Sequence, residues 1–224
     1  MVSRLARIRI TYELFFSFAI VASLVIQYTY GFFHTSQSAL DYTEQFFSFF
    51  TVLSNIFVAV IFAIDAHFLL QGKGCGSKFD SVRGAAIFCI IATGITYSLF
   101  LRGPGNQVEY SIPFINQIFH HYVPVVAALD WLFFPPKNRM NWSTLFTWIG
   151  ITLIYLVLVE FAGMLTHTYP YFFLDPEKFR GYRGILLGSA GFLPFFLVFA
   201  TFVIGSSNSQ HHVRKMIAKH SQKI

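Results

Sequence analysis

The chain has 224 residues, 55% of them hydrophobic and only 12% charged, with a mean hydropathy of +0.57. A soluble domain carries about twice that share of charge, so a surface that faces water throughout is excluded. The formal charge of +6 would suit nucleic acid, but its placement along the chain points to lipid headgroups instead. Crossing a bilayer takes roughly 20 apolar residues, and the first run that qualifies covers 12–33, behind Arg4, Arg7 and Arg9. It is longer than the apolar core of a signal peptide and no A-x-A site follows it, so it is expected to remain as a span. The second run, 46–70, places Ser54 and Asn55 at i+3 and i+4 from Thr51, one polar stripe on a helix, with Asp65 near the far end. The third covers 84–101. The fourth, 113–134, contains "FINQIFHHYVPVVAALDWLFF", in which Asn116, His120, His121, Pro124 and Asp130 interrupt an apolar stretch. The fifth, 143–166, carries Glu160, and the sixth, 184–205, leads into a basic tail over 206–224. The gaps are short and polar. The expected fold is therefore all-α: one integral membrane domain over 1–224, a bundle of six transmembrane helices.

Charge placement sets the expected orientation. With the N-terminus in the cytoplasm, Arg4, Arg7, Arg9, Lys73, Lys78, Arg83, Lys137, Arg139, Arg214, Lys215, Lys219 and Lys223 lie inside, against Arg102, Lys178, Arg180 and Arg183 outside. That asymmetry follows the positive-inside rule and puts both termini in the cytoplasm. The outer loops then hold Asp41, Glu44, Glu109, Asp175 and Glu177. The tail "HHVRKMIAKHSQKI" is expected to meet anionic membrane lipids and no nucleic acid. Cys75 and Cys89 form no C-x-x-C, which argues against a disulfide or zinc site, and neither cofactor nor metal is expected. "GSAG" at Gly188–Gly191 lacks the G-x-S-G order and reads as close helix packing. H-E-x-x-H, P-loop and dinucleotide motifs are absent.

Polar groups inside a membrane bundle face its interior or a wet cavity, because lipid satisfies none of them. Depth follows from a rise of about 1.5 Å per residue. Thr51 then lies roughly 7 Å below the outer surface, His120 near 10 Å and Glu160 near 9 Å. A hydroxyl, an imidazole and a carboxylate thus share one level. Pro124 gives no N–H to the carbonyl of His120, four residues earlier, so the fourth helix should kink beside the imidazole. Asp65 and Asp130 lie at the other end. Asp130 is about 15 Å from His120 along the helix and should meet inner-face donors such as Lys137, Arg139 or a tryptophan indole. The bland readings stay beside these: Thr51 bonding back to the Phe47 carbonyl, a packed histidine, and Glu160 paired with an outer-loop arginine.

Three segments together, "FFSFFTVLSNIFVAVIFAID", "INQIFHHYVPVVAALDWLFFPP" and "YPYFFLDPEKFRGY", resemble bacterial six-span relatives of the androgen-induced protein family, over about 12–205. Its animal members are threonine hydrolases that cleave fatty acid esters of hydroxy fatty acids with a threonine and a histidine inside the membrane. The resemblance implies that Thr51, after Phe49–Phe50, is the nucleophile. It implies that His120, four after Asn116 and four before Pro124, is the base, with His121 the runner-up. The implied substrate is a lipid ester, and the implied location the bacterial inner (plasma) membrane. Asn55 or Asn116 would donate to the developing oxyanion, Glu160 would assist, and Ser54 is the nearest substitute nucleophile. The competing expectations are a small-molecule transporter or channel and a non-catalytic lipid-binding protein.

Overall fold

The structure, a computed structural model, describes residues 3–102 and 111–221. Glu109 and Lys223, used above in assigning sidedness, lie outside the described residues. The described chain is helical, without strands. Five helices, Arg4–His34, Phe50–Leu70, Ser77–Leu101, Thr144–Thr166 and Gly181–Ile217, are long and apolar enough to cross a membrane, and they mark the chain as an integral membrane protein. Helix is the form lipid requires, since it bonds every backbone N–H and C=O within its own segment.

Helix α1, Arg4–His34, is capped by the Ser3 hydroxyl, which accepts from the Ala6 amide. A short helix α2, Ala39–Ser48, is capped by Ser38 in the same way. Phe49 is extended, and α3, Phe50–Leu70, begins directly after it. The second predicted run, 46–70, thus joined two elements: the apolar letters run on through a break in the helix. Helix α4, Ser77–Thr96, continues into a π-helical turn, Tyr97–Leu101. The predicted fourth run is in three pieces: α5, Pro113–Gln117, a π-helical turn, Ile118–Tyr122, and α6, Val123–Phe133. Helix α7 is Thr144–Thr166, ended by His167 in the left-handed region at φ 54°. Helix α8, Gly181–Ser221, continues well past 205, so the described part of the basic tail is an extension of the last helix.

α1 packs on α3, α3 on α4, and α4 on α6, while α7 packs chiefly on α8, and α8 packs on both α7 and α4. Between apolar helices in lipid, such packing rests on close van der Waals fit more than on the exclusion of water. Small residues permit it. A Cβ at Gly84 would strike the Trp148 indole, and one at Gly94 would come within 2.8 Å of Pro124. The centre is filled by Ile20, Val58, Phe62, Ile87, Phe88, Ile90 and Ala127.

The two ends of the bundle differ. At one, Arg9, Glu13, Asp65, Arg83 and Asp130 form a buried charge network. Arg9 bonds Glu13 at 2.9 Å and also Asp65. Arg83 holds Asp130 through two nitrogens and donates to the Phe134 carbonyl at 2.9 Å, capping α6. The Tyr12 hydroxyl completes the Asp130 shell. The expected partners of Asp130 are therefore replaced. Arg9 and Arg83, assigned from sequence to the inner surface, reach it from other helices, while the Trp131 and Trp148 indoles donate to the carbonyls of Val203 and Ser81 at 2.9 and 3.1 Å. At this end too Asn208 and Gln210 of α8 bond to the Leu132–Met140 segment. Both described ends of the chain thus start from one side of the bundle. The other side carries α2 and the 167–180 loop.

Candidate functional site

Thr51 stands in the first turn of α3. The first amides of a helix have no partner within it, and Phe49 at the N-cap provides no side-chain cap. The turn that carries Thr51 therefore has unspent donors. His120 sits in the π-helical turn ahead of Pro124. With no proline N–H for the His120 carbonyl, the turn widens, and the Val123 amide bonds back to Ile118. The expected kink takes this form, one that recurs at functional sites. Gly94 allows the fit, since a Cβ there would lie 3.0 Å from the His120 carbonyl oxygen.

The two side chains meet. Thr51 Oγ1 is 3.1 Å from His120 Nε2, and His120 Nδ1 is 3.0 Å from the Asn116 carbonyl oxygen. A carbonyl only accepts, so Nδ1 carries the proton and the Nε2 lone pair points at the threonine hydroxyl. No bond to the Phe47 carbonyl occupies that hydroxyl. The ring is fixed from its face as well: Tyr97 stacks on it with centroids 3.8 Å apart at 22°, and the Asn116 side-chain amide donates to the Tyr97 hydroxyl at 2.5 Å.

Tyr171 approaches from the opposite side. Its loop is seated on α7 where Gly163 leaves room for the Tyr169 ring, which a Cβ would overlap. The Tyr171 ring packs edge-on to Phe49 at 5.7 Å and stacks on Phe173 at 5.1 Å. Its hydroxyl lies close to the Thr51 and Tyr155 side chains and to the backbone amides of Thr51 and Phe50. Burial pushes the Tyr171 phenol above its usual pKa, against the opposing effect of the neighbouring hydroxyls and amides. Nearby, the Tyr155 hydroxyl donates to the Ser48 carbonyl at 2.8 Å, which holds the end of α2 against α7.

These groups open onto a cavity of about 580 Å³, within the roughly 300–1,000 Å³ usual for small-molecule sites. Thr51, His120, Asn116, Tyr97 and Tyr171 supply reactive and polar wall, Phe46, Phe49, Val52, Leu101 and Phe119 the apolar wall, and Gln37, Arg102 and Ser111 a polar margin.

The remaining candidates fall elsewhere. Asn55 is fully buried, and its amide is spent on the Thr51 carbonyl at 2.8 Å and the Phe119 carbonyl at 3.4 Å. It stiffens the pair's backbone rather than facing the cavity. Asn116 lines the cavity, but its amide is engaged with Tyr97. Ser54 turns to Thr93, hydroxyl to hydroxyl at 2.9 Å, and does not substitute for Thr51. His121 meets Tyr97 edge-on at 5.7 Å, with Nδ1 buried and unpartnered. Both Glu160 carboxylate oxygens are likewise buried without a partner, outside the cavity wall and towards Tyr169. Equal depth brought Thr51 and His120 together and left Glu160 apart. Tyr97 and Tyr171 went unassigned. Tyr97 lies near the end of the third run, so the same depth rule could have found it; Tyr171 lay within the quoted Y-P-Y motif, with no role attached.

No family model matches the chain, and no curated protein or solved structure was found to be similar to it.

Proposed function

We propose that this protein is an intramembrane hydrolase of fatty acyl esters, fatty acid esters of hydroxy fatty acids among them, related to the androgen-induced family. Thr51 is the nucleophile and His120 the general base. The observation that carries this reading is the 3.1 Å approach of Thr51 Oγ1 to the Nε2 lone pair of His120 at the wall of a cavity. A threonine hydroxyl is a weak nucleophile and needs such a base. Oγ1 attacks the ester carbonyl carbon, its proton passes to Nε2, and the carbonyl π pair moves onto oxygen. Collapse breaks the bond to the alkoxy oxygen, which leaves as an alcohol with the proton from Nε2. Water, deprotonated by the same nitrogen, then attacks the acyl-threonine carbonyl; collapse breaks the bond to Oγ1, which takes the proton back from Nε2, and the acid is released.

The apolar wall of Phe46, Phe49, Val52, Leu101 and Phe119 suits acyl chains. Transport is the weaker reading. A path through the bundle would have to pass Val58, Phe62, Ile90 and Ala127, which pack shut between the cavity and the charge network. In the proposed arrangement the segment Pro113–Phe133 is a sixth crossing, both termini are cytoplasmic, and the cavity opens to the outer leaflet of a bacterial inner membrane. The positive-inside asymmetry supports that orientation. Purified protein in detergent should turn over medium- or long-chain acyl esters, and Thr51→Ala should remove this turnover with folding intact. Wild-type turnover in Thr51→Ala, or none of any ester by the parent protein, would overturn the proposal.

A further inference from the structure

Acyl transfer at Thr51 needs a donor aimed at the oxygen where negative charge develops. The two residues that sequence suggested for this are committed elsewhere, Asn55 to backbone carbonyls and Asn116 to Tyr97. The Tyr171 hydroxyl, beside Thr51 and Tyr155, is a donor on the cavity wall. It faces the cavity, lies against the Thr51 side chain, and belongs to the Y-P-Y motif, to which the hydrolase mechanism above assigns no role.

We propose that Tyr171 is a catalytic residue, the donor that stabilises the tetrahedral oxyanion of the Thr51 reaction. The inference rests on the hydrolase reading. Once Oγ1 bonds to the carbonyl carbon, the oxyanion lies two bonds from Oγ1, within reach of a donor already seated there. Thr51 spends its proton on His120 and Tyr155 spends its own on the Ser48 carbonyl, so in the free protein either hydroxyl oxygen is an acceptor for the phenol. On attack the hydrogen bond from the phenol shifts from that acceptor to the stronger one, the oxyanion, and the proton stays on the phenol. The amides of Phe50 and Thr51, at the start of the 21-residue helix α3, face the same phenol oxygen and polarise its O–H. The positive end of the helix dipole adds to this polarisation. Phe49, Phe173 and the seat of Tyr169 on Gly163 fix the ring, so little reorganisation accompanies the reaction. Burial raises the pKa of the phenol and so keeps it protonated, as a donor must be.

The test measures parent protein, Tyr171→Phe and Thr51→Ala in parallel on a long-chain p-nitrophenyl ester, with thermal unfolding as a fold control. Tyr171→Phe keeps the ring contacts and should lower kcat about 10²–10³-fold, the usual cost of one oxyanion donor, with KM changed less than about threefold. A Tyr171→Phe kcat within twofold of the parent, beside an inactive Thr51→Ala, would overturn the assignment of Tyr171 and leave the hydrolase reading standing. An active Thr51→Ala would remove both. If Tyr171→Phe does not fold, 3,5-difluorotyrosine at position 171 replaces it. The alkaline limb of kcat should then move to lower pH with the more acidic phenol, and an unmoved limb would overturn the proposal.

Discussion

The bundle has polar groups at both ends, and the two groups differ in how their bonding capacity is used. At the charged end, two guanidiniums and three carboxylates are tied to one another across α1, α3, α4 and α6. At the cavity end, apart from Arg102 at the margin, the polar groups are hydroxyls, imidazole and amides, and the pair is held from one side and faces open volume on the other: Nδ1 of His120 is fixed by a carbonyl while Nε2 meets a hydroxyl at the cavity wall. Buried polarity in a membrane is therefore not one signal. Paired and dry, it holds helices in register; anchored on one side and open on the other, it is available for chemistry.

The largest effect separating the two regions is expected at the cavity. Thr51→Ala and His120→Ala should each lower kcat by about 10⁴-fold or more, with thermal midpoints close to the parent's; loss of folding in both variants would instead make the pair structural. At the charged end the pattern should invert. Arg83→Met leaves Asp130 buried without its main partner and should cost about 3–5 kcal/mol of stability, read by denaturant titration in detergent, while the folded fraction keeps parental turnover. Arg83→Met combined with Asp130→Leu should recover much of that loss, because a buried pair replaced by apolar groups is often near neutral.

Gly94→Ala touches the support of the site rather than its reactive atoms. The added methyl meets Pro124 at 2.8 Å and the His120 carbonyl at 3.0 Å, so the π-helical turn must shift. Displacement of a catalytic group by about 1 Å can cost 10²-fold, and a fall in kcat of about 10–100-fold with KM little changed is expected. Parental kcat would mean that the turn tolerates displacement. The smallest effect is expected at Glu160, whose carboxylate is buried but lies outside the cavity wall. Glu160→Gln should change kcat by less than about threefold, under about 0.7 kcal/mol in the barrier. A loss equal to that of His120→Ala would promote Glu160 to a member of the catalytic group.

Helix content and the Thr51–His120 pair could be read from the letters, because lipid imposes long apolar runs and a common depth is a local property of each run. Junctions were less legible. Phe46, Phe47, Phe49 and Phe50 look like one helix, yet the chain breaks at Phe49 and gives α3 the free N-terminus on which Thr51 sits. Long-range pairing was not legible at all. Lys137 and Arg139 are near Asp130 in sequence, but Arg83 and Arg9 bind it from helices 47 and 121 residues away, as the numbering gives. The resemblance ranked His120 above His121, but the widened turn that carries His120 was foretold by one proline only as a bend.

The central claim is that Thr51 carries an activated hydroxyl, and covalent labelling tests it most directly. Purified protein treated with a long-chain fluorophosphonate and analysed by peptide mass spectrometry should carry one adduct, on Thr51, absent from Thr51→Ala and strongly reduced in His120→Ala. No adduct on a folded protein, or an adduct that survives in Thr51→Ala, would contradict the account.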